Sequence, residues 1–370
     1  MQSLPFEIIK DILSRLPVKS LMRFRCVSKD WRYLIHDPFF ISQHLNRSSE
    51  KNPGLCLADG RFFTIILDGS STATRVDIPF QGLVDRVEIL GSCNGLLCLF
   101  VAERLSDWYR HINPIYLWNP ARREYRKLPD APFSSPRIWG ISTTVLGFGY
   151  DSINNEYKVV RIIYFCERGM DRLIPKSDVR VYSLASVKWK KLGNAPFEIR
   201  DTSSKAVLNG FIHWMATRKI KSQMLELIVS FDVRNEVFRE IHLPNGVGGE
   251  CSNFVAVLGG CLSLIECIHG SYVEIWVMKD YGVNGSWTKQ FTIELCSYGY
   301  GGSIKKLPIE ILKSGEILIE KNSQKLVLYN PESKGERDLG IHGLPDQFSL
   351  FIFMESLVPL SVGSTYEEHQ

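Results

Sequence analysis

The stretch YLWNPARREYRKLP (residues 116–129) contains an apolar strand, an Asn-centred turn, a second strand with an aromatic residue among basic ones, and a closing Pro. Strand-forming residues on both sides of turn residues are typical of a β-hairpin. The same order recurs in VRVYSLASVKWKKLGNAP (179–196), IVSFDVRNEVFREIHLP (228–244), IWVMKDYGVNGSWTKQFTI (275–293) and LVLYNPESKGERDLGI (326–341). The body of the chain is therefore predicted to repeat one hairpin.

A second pattern alternates with these hairpins, in which a Gly-centred turn leads into a buried strand. It occurs in GSCNGLLCLF (91–100), AVLNGFIHWMA (206–216), AVLGGCLSLIE (256–266) and KSGEILIE (313–320). Successive hairpins carry the aromatic anchors Trp118, Tyr182, Phe231, Trp276 and Tyr329, separated by 64, 49, 45 and 53 residues. Four-strand units of this length resemble kelch-type blades, which stack in a ring because no blade covers both faces of its own sheet. We predict a kelch-like β-propeller. A two-sheet β-sandwich is the alternative, and the blade count stays open.

The net charge of the chain is concentrated at its N-terminus. Residues 1–47 hold eight basic and four acidic side chains, and their balance of +4 equals that of all 370 residues. A locally basic segment favours an acidic partner. Nucleic acid is disfavoured as that partner, because apolar positions outnumber the basic ones and no base-stacking residues are interleaved.

The cysteines and the apolar runs bear on the compartment. There are nine cysteines, and no apolar run with a cleavage site follows Met1. The most apolar stretch, FSLFIFMESLVPL (348–360), is broken by Glu355 and Pro359 and is too short for a membrane span. We expect reduced thiols in the cytoplasm or nucleus, with no membrane contact.

The stretch LPVKSLMRFRCVSKDW (16–31) belongs to an N-terminal segment with helical spacing of its apolar residues. Pro17, Ser28 and the Asp37-Pro38 pair predict helix starts. Three or four helices of 8–12 residues follow, each with one apolar face. A unit this small buries too little surface to be stable alone. It must rest either on the β body, as a helical cap, or on another chain.

The sequence LPFEIIKDILSRLPVKSLMRFRCVSKDWRYLI (4–35) resembles an F-box, the adaptor-docking motif of Skp–cullin–F-box (SCF) ubiquitin ligases. The resemblance implies that the apolar stripe docks into a Skp-type adaptor, an acidic class of protein. Through the adaptor, the chain would meet a cullin and a RING subunit. The residues expected to form this plug are Leu4, Pro5, Ile8, Ile12, Leu13, Leu16, Pro17, Leu21, Val27 and Trp31. Some of them must hold the small helices together instead, and spacing alone does not sort them.

The body resembles the F-box-associated region of plant F-box proteins. The matching stretches are NGLLCL (94–99), LWNPARREYRKLP (117–129), GFGYDSINNEYKVVRI (147–162) and IWVMKDYG (275–282). This sequence departs from the kelch signature at the glycine doublet. The doublet is present at Gly259-Gly260, but Asn-Gly replaces it at Gly95 and Gly210. The chain is predicted to be α+β in class, with an F-box at 1–47, a β domain at 48–360 and a disordered tail at 361–370.

Catalytic and metal-binding motifs are weak in this sequence. The histidines are isolated, and His213 in a strand is better explained as a satisfied core or surface residue than as a base. Gly147-Phe148-Gly149 stops short of a dinucleotide fingerprint, and the cysteines lack close Cys-x2-Cys pairs. We therefore predict a chain that is not itself an enzyme and needs no metal or cofactor.

The remaining candidates for function are polar loops on a rigid scaffold. They are 103–114, 165–178, 197–205 and 217–224. Exposed aromatic and Arg residues are frequent interface anchors, and they nominate Trp108, Tyr109, Arg110, His111, Arg168 and Arg172 as target-binding residues. The resemblance implies a substrate receptor of a ubiquitin ligase, of an immune or signalling type. The alternatives are an S-locus-type receptor for pistil ribonucleases, a propeller enzyme or lectin with a helical cap, and an adaptor-bound protein that acts without ubiquitination.

Overall fold

The structure of the chain, a computed structural model, describes residues 5–49, 54–59, 63–66, 71–78, 84–103, 114–132, 138–167, 176–200, 206–220, 223–248, 252–268, 271–294 and 306–360. Within these ranges four α-helices precede twenty-five β-strands. The Trp108–His111 stretch, Arg168, Arg172, Leu4 and the predicted tail lie outside the described residues.

The helices are α1 (Phe6–Leu13), α2 (Val18–Phe24), α3 (Lys29–His36) and α4 (Pro38–Ser49). Pro17 directly precedes α2, where its fixed φ suits the entry to a helix. Ser28 caps α3 and Asp37 caps α4: their side-chain oxygens accept a backbone N–H three residues later, at 3.2 and 2.9 Å. The predicted helix starts are confirmed, although α2 has only seven residues.

The strands form six antiparallel sheets, the blades of a propeller. Blade 1 begins with β1 (Gly54–Ala58), β2 (Phe63–Ile66) and β3 (Thr74–Val76). Blade 2 contains β4 (Val84–Cys93), β5 (Leu96–Glu103), β6 (Ile115–Asn119) and β7 (Glu124–Lys127). Blade 3 contains β8 (Ile138–Asp151), β9 (Glu156–Glu167), β10 (Lys176–Ser183) and β11 (Lys188–Gly193).

Blade 4 has one extra short strand, because two segments pair with the same neighbour. It contains β12 (Glu198–Ile199), β13 (Ala206–Leu208), β14 (Phe211–Ile220), β15 (Gln223–Asp232) and β16 (Val237–Ile241). Blade 5 contains β17 (Ser252–Leu258), β18 (Cys261–Ile268), β19 (Tyr272–Met278) and β20 (Trp287–Glu294). Blade 6 contains β21 (Lys306–Ile311), β22 (Ile317–Lys321), β23 (Lys325–Asn330) and β24 (Gly335–Asp338).

The ring closes through the last strand, β25 (Ser349–Phe353), which pairs antiparallel with β1 and completes blade 1. Six apolar clusters fill the six contacts between neighbouring blades, including that between blades 6 and 1. Each blade has two apolar faces, and both faces of every blade are covered by neighbouring blades only when the ring is complete. The prediction of a propeller is confirmed, the β-sandwich is excluded, and the number of blades is six.

One turn recurs between strands, and it explains the repeated hairpins. The first turn residue is Asn, Asp or Ser, and its side-chain oxygen accepts one or two backbone N–H groups two or three residues later. The residue four positions on has a positive φ of 52–58°. The five pairs are Asn119 with Arg123, Asp151 with Asn155, Ser183 with Val187, Asp232 with Glu236, and Asn330 with Lys334. Such local bonds fix the turn without help from the rest of the fold.

The helices rest on one face of the propeller through the C-terminal segment 354–360. Leu357 lies in the apolar core of the helices, which also includes Leu21 and Phe40. The segment passes directly over the β4–β5 turn, where a Cβ on Gly95 would lie 2.5 Å from the carbonyl oxygen of Met354. Since Gly95 also has a φ of +77°, only glycine suits this position. The NGLLCL motif therefore lies where the C-terminal segment 354–360 crosses blade 2.

Candidate functional site

The helical unit leaves part of its apolar surface uncovered. Ile8 and Ile12 lie one turn apart on α1 and are 48% and 47% exposed, and Val27 after α2 is 63% exposed. Pro5 and Pro17 are also exposed. The same unit exposes three further apolar residues that are not in the predicted plug: Phe6, Tyr33 and Phe39. Exposed apolar surface on a small folded unit is typical of a site of protein interaction.

Other residues of the predicted plug lie inside the helical unit. Leu13 and Leu21 are 2% and 0% exposed and form its core with Val18, Ile35 and others. Leu16 and Trp31 are half-buried and pack against the same core. We therefore infer that Leu13 and Leu21 hold the helices together. The sequence alone did not show which residues of the predicted plug have this role.

The unit has two sides, one towards the propeller and one towards solvent. On the propeller side, Ile41 of α4 packs against the apolar cluster between blades 2 and 3, and Ala121 of the β6–β7 turn packs against the core of the helices. The helical unit therefore packs on the propeller as a cap, which was one of the two arrangements that the sequence left open. This contact leaves Ile8 and Ile12 of α1 exposed.

The charge of the helical unit is basic at its surface. Arg23, Arg25 and Lys29 are exposed. The acid of α1, Asp11, pairs with Arg47 at 2.6 Å and with Arg15 at 3.0 Å. Hydrogen bonds from these two guanidinium groups, that of Arg47 foremost, lower the pKa of Asp11 below its ordinary value. The positive charge around α2 therefore remains available to an acidic partner.

The second candidate surface is the distal face, meaning the face of the propeller opposite to the helices. The β4–β5 and β6–β7 turns border the helix-facing side, so β5 ends and β6 begins at the distal face. By the same alternation, β9 ends and β10 begins there. The predicted target-binding loops 103–114 and 165–178 fall largely outside the described residues, which stop at Glu103 and Glu167 and resume at Pro114 and Lys176.

The described part of the distal face includes the tip of the β14–β15 hairpin. β12 pairs with β14 only as far as Thr217, and β16 pairs with β15 only from Ile228, so the hairpin extends beyond both neighbours. Its tip exposes three apolar residues, Ile220, Met224 and Leu225, next to Arg218 and Lys219. This tip coincides with the loop 217–224 that the sequence nominated.

His213 is a core residue, which is one of the two structural roles that the sequence left open. Its ring is fully buried, Nδ1–H donates to the carbonyl oxygen of Ala206 at 3.0 Å, and Nε2 accepts from the hydroxyl of Tyr281 at 2.8 Å. Burial lowers the pKa of His213 to about 4. The imidazole is therefore neutral and has both nitrogens occupied at neutral pH.

The Gly147-x-Gly149 stretch is explained by packing between blades 3 and 4. A Cβ on Gly147 would lie 2.5 Å from the ring of Trp214, and one on Gly149 would lie 2.7 Å from Val233. Among the described residues, no group of three His, Cys, Asp or Glu side chains has the arrangement of a metal site. No helix in this part of the chain is long and apolar enough to cross a membrane.

Comparisons with known proteins agree with this arrangement. The F-box domain family matches residues 1–43, and the F-box associated beta propeller domain family matches residues 39–359. The chain belongs to the F-box proteins with an F-box-associated β-propeller. In Arabidopsis thaliana, F-box protein At3g07870 is 32% identical over 96% of this chain and 92% of its own length. F-box protein CPR1 is 32% identical over 97% and 89%, and F-box/kelch-repeat protein At3g23880 is 30% identical over 79% of both chains.

Proposed function

We propose that this F-box protein is a substrate-recognition subunit of an SCF ubiquitin ligase. The observation that carries the proposal is the uncovered apolar face of the F-box around Ile8 and Ile12, which its own propeller does not bury. An amphipathic helix with such a face docks into an apolar groove of a partner. The partner would be a Skp-type adaptor, which brings a cullin and a RING subunit.

The propeller would hold a target protein at its distal face. The mechanism is positioning: a bound target presents its lysines at high effective concentration to the ubiquitin-conjugating enzyme. No residue of this chain takes part in the chemistry, and no cofactor or metal is needed. The target-binding residues would include Trp108, Tyr109, Arg110, His111, Arg168 and Arg172, together with the tip of the β14–β15 hairpin. The complex would work in the cytoplasm or nucleus.

The test is capture of a purified Skp-type adaptor by the full chain. The variant carries Ile8→Asp and Ile12→Asp, because both side chains are exposed and their loss leaves the helical core intact. We expect the native chain to bind the adaptor at one to one and the double variant to bind about 100-fold more weakly, since buried interface anchors dominate affinity. Ile153→Asp is the matched control, since Ile153 is 66% exposed on the propeller.

Equal capture of the native chain and the double variant would contradict the proposal. Leu21→Ala is unsuitable for this purpose, because it removes a core side chain and unfolds the unit for a reason unrelated to docking. Ubiquitination is tested separately, in a reconstituted ligase. An adaptor-bound chain that supports no ubiquitin transfer would favour a role without degradation. Turnover or sugar binding by the full chain would favour a propeller enzyme or lectin.

A further inference from the structure

The centre of the propeller contains a cavity of about 410 Å³. The strands β4, β13, β17 and β21 line it together with β25. Its wall is mainly aliphatic. The half-buried aliphatic lining residues are Val207, Val255, Val257, Leu307, Ile352 and Met354. The volume lies in the range of small-molecule sites, which are mostly apolar with a few polar groups.

Water is a poor occupant of the aliphatic part of this space. A bound water needs two to four polar partners, and the aliphatic side chains of the wall offer none. Empty apolar cavities accept apolar molecules instead, because filling them restores dispersion contacts and removes apolar surface from water. The central cavity therefore favours a ligand with an apolar body.

One carboxylate breaks the apolar wall. Glu310 is the only acidic or basic side chain, apart from the neutral His213, among the described residues that line the cavity. Its position follows from a bulge in β21, where the register with β22 shifts between Pro308 and Glu310. The bulge places the side chain next to the β17–β18 turn.

The two oxygens of Glu310 differ. Oε1 accepts the backbone N–H of Gly259 at 2.7 Å and that of Ile311 at 3.0 Å. Oε2 has no hydrogen-bond partner among the described residues. Burial raises the pKa of Glu310 above its ordinary value, as expected for a carboxylate that lacks a cation. A positive group within reach of Oε2 would offset this cost.

Two other polar side chains of the wall already have hydrogen-bond partners. His213 uses both ring nitrogens, and the side-chain amide of Asn94 donates to the hydroxyl of Tyr157 at 3.1 Å. Glu310 is therefore the side chain of the described wall that can recognise a positively charged group. We propose that the central cavity binds a small molecule with an apolar body and a protonated amine, and that the amine pairs with Oε2 of Glu310.

The experiment uses the full chain and two matched probes, 1-adamantanamine and adamantane-1-carboxylate, in isothermal titration calorimetry. They share one apolar body and differ in the sign of the charge. We expect saturable one-to-one binding of the amine and at least about tenfold weaker binding of the carboxylate. Glu310→Gln keeps an oxygen for Gly259 and Ile311 while removing the charge, and it should weaken amine binding at least about tenfold. Glu332→Gln, on the exposed β23–β24 turn, should leave binding unchanged.

Binding is located with ¹³C-methyl methionine. The Met354 signal, assigned through Met354→Leu, should shift on titration with the amine, and Met224 at the exposed hairpin tip should not. The proposal is overturned by any of three results. These are no saturable binding up to about 1 mM amine, equal binding of the two probes, and unchanged binding by a folded Glu310→Gln variant. The outcome does not depend on adaptor capture, so this site and the proposed ligase role are tested independently.

Discussion

The side-chain amide of Asn119 donates to the carbonyl oxygens of both Ser356 and Val358, at 3.1 and 2.8 Å. Its own oxygen accepts from the backbone of the β6–β7 turn, so one buried side chain serves the turn and the C-terminal segment together. Arg122 adds a hydrogen bond to the carbonyl of Leu357 at 3.1 Å. These bonds fix the segment whose Leu357 enters the F-box core, and thereby fix the F-box on the propeller.

Replacement of Asn119 by Asp tests this connection. Asp occupies the same turn position at 151 and 232, so the turn tolerates a carboxylate, whereas both bonds to the C-terminal segment lose their donor. We expect the free energy of unfolding to fall by about 2–4 kcal/mol, because a buried carboxylate then faces two carbonyl oxygens. Urea unfolding measures the change.

The matched control for Asn119→Asp is Asn330→Asp. In the described residues Asn330 uses only its oxygen, as acceptor for the turn of blade 6. This variant should stay within about 0.5 kcal/mol of the native chain. Hydrogen exchange should speed up in the F-box helices of Asn119→Asp and not in those of Asn330→Asp. Equal effects of the two substitutions would show that the C-terminal segment is held by other contacts.

A second prediction concerns the ion pair between blades 3 and 4. Lys158 is 5% exposed, and its Nζ lies 2.9 Å from Oε1 of Glu236. Glu236→Gln should lower the free energy of unfolding by about 2–3 kcal/mol, because the buried ammonium loses its close ion pair and keeps the longer one to Glu156, at 3.7 Å. Lys190 pairs with the same carboxylate at 2.7 Å, but its side chain is 68% exposed.

Lys190→Met is therefore the control for Glu236→Gln. We expect it to change stability by less than about 0.5 kcal/mol, since solvent screens an exposed ion pair. Chemical unfolding of both variants gives the comparison. If Lys190→Met costs as much as Glu236→Gln, the stabilisation comes from the surface pair and the buried ammonium is compensated elsewhere.

The hairpins could be predicted from the sequence because their information is local. The acceptor at Asn119, Asp232 or Asn330 and the positive φ four residues later are set within one turn, so each hairpin is specified by a few adjacent residues. Blade 1 could not be predicted in this way. Its β1–β25 pairing joins residues almost 300 positions apart, a separation that no local turn specifies.

The closing strand was recognised only as the most apolar stretch of the chain. Phe351 and Phe353 pack between blades 1 and 2, and Leu350 packs between blades 6 and 1, so β25 is apolar on both faces. A strand buried on both sides loses the alternation that identifies strands in a sequence. Its role follows from ring closure, which is a property of the whole fold.

The sequence predicted which segment carries the docking face, but it did not predict which residues of that segment are exposed. Ile8 and Ile9 are adjacent isoleucines, yet Ile9 packs against the helical core while Ile8 is 48% exposed. Helical periodicity gives the apolar stripe and leaves open which of its edges meets the unit's own core. That choice depends on how α1 packs against the other helices, and the spacing of apolar residues along α1 carries no information about this packing.

A third prediction uses the strained turn of blade 3. Val187 has a φ of +57°, a conformation that is unfavourable for a β-branched residue, and its side chain is 44% exposed. Val187→Asn should raise the free energy of unfolding by about 1 kcal/mol, because Asn tolerates this region. Lys334→Asn, at a φ of +56° in blade 6, should give a smaller gain, since Lys is unbranched. Equal gains in thermal unfolding would contradict the explanation from β-branching.

A fourth prediction is a pH dependence of stability that arises from His213. Its folded-state pKa of about 4 lies below the ordinary value of 6.5, so the unfolded chain binds a proton that the folded chain does not. Stability is therefore retained above pH 6.5 and falls as the pH drops towards 4, by up to about 3 kcal/mol from this residue. Burial is the main cause, and the Tyr281 hydroxyl beside it, with a pKa raised to about 12, stays neutral throughout.

His213→Asn separates this contribution from that of the carboxylates. The Asn amide can donate to the carbonyl of Ala206 as Nδ1–H does, and it does not titrate. The variant should be less stable at neutral pH, because the hydrogen bond between the Tyr281 hydroxyl and Nε2 is lost, but its stability should fall less steeply between pH 6.5 and 4. The difference between the two curves of unfolding free energy against pH removes all shared carboxylate titrations. Parallel curves would mean that His213 is protonated in the folded chain as readily as in the unfolded one, and that the buried ring has a compensating acceptor.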